Sequence, residues 1–288
     1  MERRKKIIIL AVVSGILFGL IEILFFVVVF FISGEPQMPG DKVALVEITG
    51  PIYSSRGVIS EIHRYKEDNS VKAIVLRIDS PGGIVAPAQE IYRELTKIDK
   101  EIVTSMGSIA TSGGYYIACA SDWIFANPGT LTGSIGVIMR FTTLEELFKR
   151  FGIEREVIKS GSYKDAGSAY RKLTPEEKKL FQETIDDVHS QFIDAVFEGR
   201  KHKKLTREQI KEIADGRVMS GKQAMEKKLI DQLGGLDDAI EYAGKIAGIE
   251  GKPRVIKKRI RRSLLERLIG EADQAIYNQA GLRYELSL

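Results

Sequence analysis

Hydrophobic positions along the chain change their spacing several times, and each change marks an element. Ile7 to Ile32 is almost wholly apolar and follows the basic flank Arg3, Arg4, Lys5 and Lys6. A helix rises about 1.5 Å per residue and about 20 residues cross a bilayer core, so this run predicts a transmembrane anchor. It is too long for the core of a signal peptide, and FFISGEPQ is a poor cleavage site. Glu22 falls mid-span, where a carboxyl is protonated, paired with a neighbouring helix, or simply tolerated. The positive flank stays in the cytoplasm, which places the rest of the chain outside it.

After a short linker, SGEPQMPG, the pattern turns to short apolar runs alternating with helical spacing. KVALVEITG, VKAIVLRID, EIVTSMG and WIFAN read as strands. GVISEIHRYKED and APAQEIYRELTKID read as helices, and SGGYYIACA opens another. Repeated strand–helix units predict an α/β fold with a largely parallel sheet. The second half is more helical. Thr174, Pro175 and Glu177 form a capping box with a proline start. SGKQAMEKKLID and GLDDAIEYAGKIAGI are shorter helices. From Lys252 the chain becomes a basic strand-like piece, Arg254 to Arg262. An amphipathic helix follows with Leu264, Leu265, Leu268, Ile269, Ala272 and Ile276 on one stripe. The expected organisation is flank and anchor 1–33, linker 34–41, folded domain 42–250, and basic strand with C-terminal helix 251–288.

Composition changes this picture little. The chain has 288 residues, a net charge of +4 and one cysteine, Cys119, so it forms no internal disulfide. A modest charge does not suggest nucleic-acid binding. The basic run reads as a solvated strand or as a surface facing anionic lipid, and the stripe after it could pack on a neighbouring subunit.

The candidate chemistry sits in GSIATSGGYYIACASD, Gly107 to Asp122. Ser112 stands directly before Gly113 and Gly114. Glycines leave room where another backbone or a ligand comes close, so Ser112 reads as a nucleophile at the mouth of a helix. A serine hydroxyl needs a base. His63, His189 and His202 lie in charged or helical contexts and read as surface or packing residues. Lysine is the other base used with serine, and it must be neutral to accept a proton. Lys164 in KSGSYKDAGS is the local candidate, although alone it is an ordinary loop lysine. No cluster has metal-ligand spacing, and the glycines match neither a P-loop nor a dinucleotide fingerprint, so no metal or cofactor is expected. Position 110 is Ala, so Ser112 is not in a Gly-x-Ser-x-Gly elbow.

Five motifs come in order: DSPGG, SGGYYIACASD, GTLTGSIGVI, GSYKDAGS followed by TPEE, and GRVMSGKQAMEKKLIDQLGGLDDAI. Together, over roughly Lys42 to Gly248, they resemble the signal peptide peptidase A family of membrane-anchored serine peptidases. The resemblance implies a ClpP/crotonase-like fold and a Ser–Lys dyad. It makes Ser112 the nucleophile, Lys164 the general base and Ser134 the residue that assists the lysine. It makes Gly82 and Gly83 oxyanion-hole donors, which the N–H of Gly113 at a helix start can join. Tyr115 and Tyr116 are then expected to pack behind the nucleophile, with a substrate wall as the alternative. Asp165 would raise the pKa of a neighbouring lysine, so it is expected to point away from the cleft. The resemblance also implies extracytoplasmic cleavage of remnant signal peptides and similar apolar peptides by a homo-oligomer that contacts lipid through Ile7–Ile32. Extended peptide would add along SPGGIVAP or GVIMRF.

Three rivals stand beside this reading. A crotonase-type acyl-CoA enzyme shares the fold, but acyl-CoA is cytoplasmic. A catalytically inactive membrane scaffold would not need Ser112 and Lys164. A serine peptidase of the NfeD type carries further hydrophobic spans after the peptidase domain, and residues 251–288 hold none.

Overall fold

The computed structural model describes residues 14–25 and 40–258, which fall in two units, Met1–Gly40 and Asp41–Leu288. In the first unit residues 14–25 are helical (α1), with large apolar side chains such as Ile16, Phe18 and Leu24 about 60% exposed. Among the described residues no helix is long and apolar enough to cross a membrane. The ends of the expected Ile7–Ile32 span lie outside the described residues. So do the basic flank, most of the linker and the Leu264–Ile276 stripe.

The second unit is built on three parallel strands, β1 (Lys42–Thr49), β2 (Val71–Ser80) and β3 (Glu101–Thr111). Their near-continuous apolar sequences follow from burial on both faces. Side chains alternate across a strand, so Val43, Leu45, Ala73 and Val75 point to one face and Ala44, Val46, Ile74 and Leu76 to the other. The first face is covered by α9 (Leu236–Ile246), which follows the short helix α8 (Gly221–Glu226), through Ala239 and Ala243. The second packs against α2 (Arg56–Glu67) and α3 (Val85–Leu95) through Ile62, Tyr65, Ile91 and Leu95.

The sheet divides along β3. Its first half, Val103–Ser105, pairs with β4 (Trp123–Ala126), which continues to β7 (Gln232–Leu233). Its last residues, Ile109–Thr111, pair with β5 (Leu131–Gly133), which pairs antiparallel with β6 (Val218–Ser220). At the other edge β8 (Arg254–Lys257) lies parallel to β1, so the start of the basic run is a strand of this same sheet, beyond position 250. Five elements escape the pattern of apolar runs: β5, β6, β7, and the short helices α5 (Glu145–Arg150) and α7 (Arg207–Ile213), although Thr206 and Gln209 form a capping box at the start of α7. Two or three residues cannot display a period.

Helix α6 (Pro175–Gly199) starts as expected. Thr174 Oγ1 accepts from Glu177 N, and the Glu177 carboxylate accepts from Thr174 N. Its far end is locked by a buried ion pair. Arg200 is fully buried; it donates to Asp231 Oδ2 at 2.6 Å and to Ser121 O at 3.1 Å. Asp231 also accepts from Ile124 N at 2.8 Å and lies 2.6 Å from His202 Nε2 and 2.9 Å from Lys203 Nζ. Burial alone would push the Asp231 carboxyl up, but Arg200, His202 and Lys203 together hold it below its ordinary value. A depressed carboxyl pKa stabilises the fold above the unfolded value, about 3.9, and that contribution is lost as pH falls through the folded value. Asp231→Asn leaves Arg200 uncompensated and is expected to lower the unfolding free energy by about 3–5 kcal/mol at neutral pH. In urea titrations the gap from wild type should narrow below about pH 4; a gap that persists unchanged in acid would show that the carboxylate charge is not the cause.

Candidate active site

Ser112 is the first residue after β3 and the cap of α4 (Gly113–Ala118). Its φ of 51° and ψ of −120° are strained for a side chain with a Cβ, at about 1–3 kcal/mol. The strain is held from both sides. Ser112 N donates to Gly133 O at 2.9 Å, and Ser112 O accepts from Tyr116 N at 2.8 Å.

Ser134 repeats the arrangement one strand away. It follows β5, has a φ of 50°, and its N–H donates to Arg217 O at 2.8 Å. Thr111 pairs with Gly133, so Ser112 and Ser134 are the next residues along neighbouring parallel strands.

The two glycine pairs meet at Ser112. Gly82 has a φ of 93°, and a Cβ there would lie 2.7 Å from Gly113 N and 2.8 Å from Ser112 Cβ. A Cβ on Gly83 would lie 2.3 Å from Ile52 O. Ile52 bonds the residues around Gly83: Ile52 N donates to Gly82 O at 2.8 Å and Ile84 N donates to Ile52 O at 2.9 Å. In this parallel pattern the N–H of Gly83 itself points away from Ile52. A Cβ added to Gly113 would lie 3.5 Å from Gly83 N, so the two backbones approach closely beside Ser112.

Tyr115 and Tyr116 part company. Tyr115 is fully buried, and its hydroxyl donates to Leu229 O at 2.8 Å, as a packing residue should. Tyr116 instead lines a small cavity beside Ser112, together with Val85, Ala88, Val137, Val188 and Phe192. Val188 and Phe192 come from α6 and share a helix face at i, i+4. No motif or period along the chain signals that this helix covers the serine.

Lys164 lies in a turn of the long loop between β5 and α6, and its side chain is exposed. It is not part of the cavity lining. Asp165 pairs with Lys159 at 2.5 Å and Arg171 at 2.9 Å, and Arg171 pairs with Glu177 at 2.5 Å. Arg171 and Lys159 hold the Asp165 carboxyl well below its ordinary range. The charge of Asp165 is therefore engaged by residues other than Lys164. These pairs moor the turn at Glu177, eleven residues before Val188, or roughly 16 Å along α6. The same loop exposes Ile138, Phe151, Ile153 and Ile158, the last at 95%. Residues 136–141 form no strand, so GVIMRF is not a sheet edge within one chain.

None of the histidines lines the cavity. His63 pairs with Glu94 at 2.9 Å, His202 pairs with Asp231, and His189 is partly buried on α6. Among the described residues no group of three or more His, Cys, Asp or Glu is placed to hold a metal ion.

The profile of peptidase family S49 matches residues 94–250, and that of Clp protease matches residues 43–128. The second match spans β1 to β4, the strand–helix units described above. The chain is 45% identical over 212 residues to a putative protease of Synechocystis, covering 73% of this chain and 76% of that protein. It is 38% identical over 196 residues to the putative signal peptide peptidase SppA of Enterococcus faecium, covering 67% of this chain and 56% of that protein. It is 30% identical over 273 residues to a putative protease of Methanocaldococcus jannaschii, covering 88% and 86%.

The close approach of the glycines has a direct test. Gly82→Ala and Gly83→Ala should each lower the unfolding free energy by about 1–3 kcal/mol through strain and displaced backbone. Gly129→Ala, where a Cβ would meet nothing within 4 Å, should stay within about 0.5 kcal/mol of wild type. Equal chemical-denaturation midpoints for all three would refute the packing described here.

Proposed function

We propose a mechanism for a chain that belongs to peptidase family S49 and is a serine peptidase. Membership sets aside the acyl-CoA enzyme and the inactive scaffold. In this reading Ser112 Oγ attacks the scissile carbonyl. The developing oxyanion is met by the N–H groups of Gly83 and Gly113, with Gly82 shaping the turn. One such donor contributes about 3–4 kcal/mol of barrier lowering in comparable sites. A lysine amine takes the serine proton and returns it to the leaving amine, and water then releases the acyl group by the same route. The observation that carries the reading is Ser112 itself, held at positive φ where the Gly82–Gly83 and Gly113 main chains approach each other.

Lys164 is the proposed base, assisted by the Ser134 hydroxyl. Its exposure and the roughly 16 Å along α6 favour delivery to Ser112 of a second copy. The exposed apolar side chains of the same loop suit such a contact. The reading therefore includes a homo-oligomer. Substrates are extended apolar peptides, remnant signal peptides among them, laid along Gly82–Ile84 on the side away from Ile52, which bonds the other edge. The peptidase domain of 42–250, with β8 added at its edge, is held outside the cytoplasm by the Ile7–Ile32 anchor. The exposed apolar surface of α1 supports that placement.

Ser112→Ala and Lys164→Ala are each expected to reduce peptide cleavage by at least about 1,000-fold, and the double variant to be hardly worse. Co-assembly of the two single variants tests the shared site. A site built from two copies regains a fraction of wild-type activity in mixed oligomers. Full activity in either single variant would refute the dyad, and no regain on mixing would place both groups in one chain.

A further inference from the structure

Two hollows share one aromatic side chain in their linings. The cavity beside Ser112 measures about 30 Å3 and has no charged side chain in its lining. A groove of about 540 Å3 opens between α3 and α6, lined by residues such as Gln89, Tyr92, Arg93, Gln191 and Glu198. Tyr116 is the residue common to both linings.

Its ring is fixed on every side. Tyr92 meets it edge-on with centroids 5.2 Å apart, and Phe192 packs against it at 4.9 Å. Beside it, Gln89 Nε2 donates to Gln191 Oε1 at 2.8 Å across the groove. A ring so held stands where the two linings meet.

We infer that the small cavity receives the substrate side chain on the acyl side of the scissile bond, and that Tyr116 restricts it to small apolar residues. This rests on Ser112 being the nucleophile. The cavity opens at Ser112 and Gly113, where the acyl carbon must sit. About 10–15 Å3 admits one water, so about 30 Å3 takes an alanine-sized group and excludes a leucine or phenylalanine. The lining of Val85, Ala88, Val137, Val188 and Phe192 offers contact to carbon and no partner for a charge. Tyr116 also lines the groove, so removing the ring joins the two volumes instead of leaving a closed void.

The test uses the full chain in detergent and fluorogenic peptides that differ only in Ala, Leu or Phe before the cleaved bond. Wild type should favour Ala over Leu and Phe by at least about tenfold in kcat/KM, the scale on which pockets resolve apolar side chains. Tyr116→Ala should raise Leu and Phe relative to Ala by at least about tenfold, while Tyr116→Phe keeps the wild-type order. Should Tyr116→Ala fail to fold by circular dichroism, Phe192→Ala widens the same cavity from α6 and should give the same shift. Labelling by a fluorophosphonate separates the two levels of the reading. Wild type that does not label at Ser112 overturns the nucleophile and this inference together. Labelling with an unchanged side-chain order in a folded Tyr116→Ala or Phe192→Ala variant overturns the role of Tyr116 alone.

Discussion

Three stretches of main chain converge at Ser112 with no side chain between them, and the site depends on that convergence. Gly83 lies against Ile52, Gly82 against Gly113, and Gly113 against Gly83. The convergence follows from the sheet. β2 and β3 are parallel neighbours, so their C-terminal ends open on the same crevice, where ligands of open parallel sheets bind. A register shift between Ile78 and Ser80 disturbs the pairing just before the site. Asp79 sits at that shift, and its Oδ1 accepts from Ile109 N at 3.1 Å. Gly107 makes room for it, since a Cβ there would lie 2.7 Å from Asp79 Cγ.

Long elements with a clear period were legible in the sequence; features set by tertiary contact were not. β1, β2, β3, α2 and α3 could be read because each buries a face along its whole length. The capping box of α6 could be read because its bonds are local. β5, β6 and β7 owe their existence to partners more than twenty residues away. At the site, the glycine pairs and Ser112 were legible from their motifs. Tyr115 and Tyr116 were expected to pack behind the serine. Successive helix residues point about 100° apart, so only one of two neighbours can face the core. Composition does not say which; the sheet behind α4 decides it for Tyr115.

Helix α6 works as a beam fixed at both ends. Arg171 and the N–H of Thr174 hold the Glu177 carboxyl down at about 2, which keeps the moorings of the Lys164 turn charged across ordinary pH. At the other end Arg200 is pinned under β4. Between them Val188 and Phe192 roof the cavity beside Ser112. The lysine turn and the roof are therefore set by one rigid element. A shift of α6 would alter what the cavity admits and where the turn is presented to a neighbouring copy.

The Tyr115–Leu229 and Arg200–Asp231 bonds also govern timing. The Tyr115 hydroxyl bonds main chain 114 residues later, and β4 is tied to Asp231 over a separation of 107 residues. At about 5–20 residues per second, synthesis of that intervening stretch takes on the order of ten seconds. Throughout that interval the Tyr115 hydroxyl lacks its partner. The packing behind the serine turn is thus completed late in the life of the nascent chain, and any assembly of copies can only follow it.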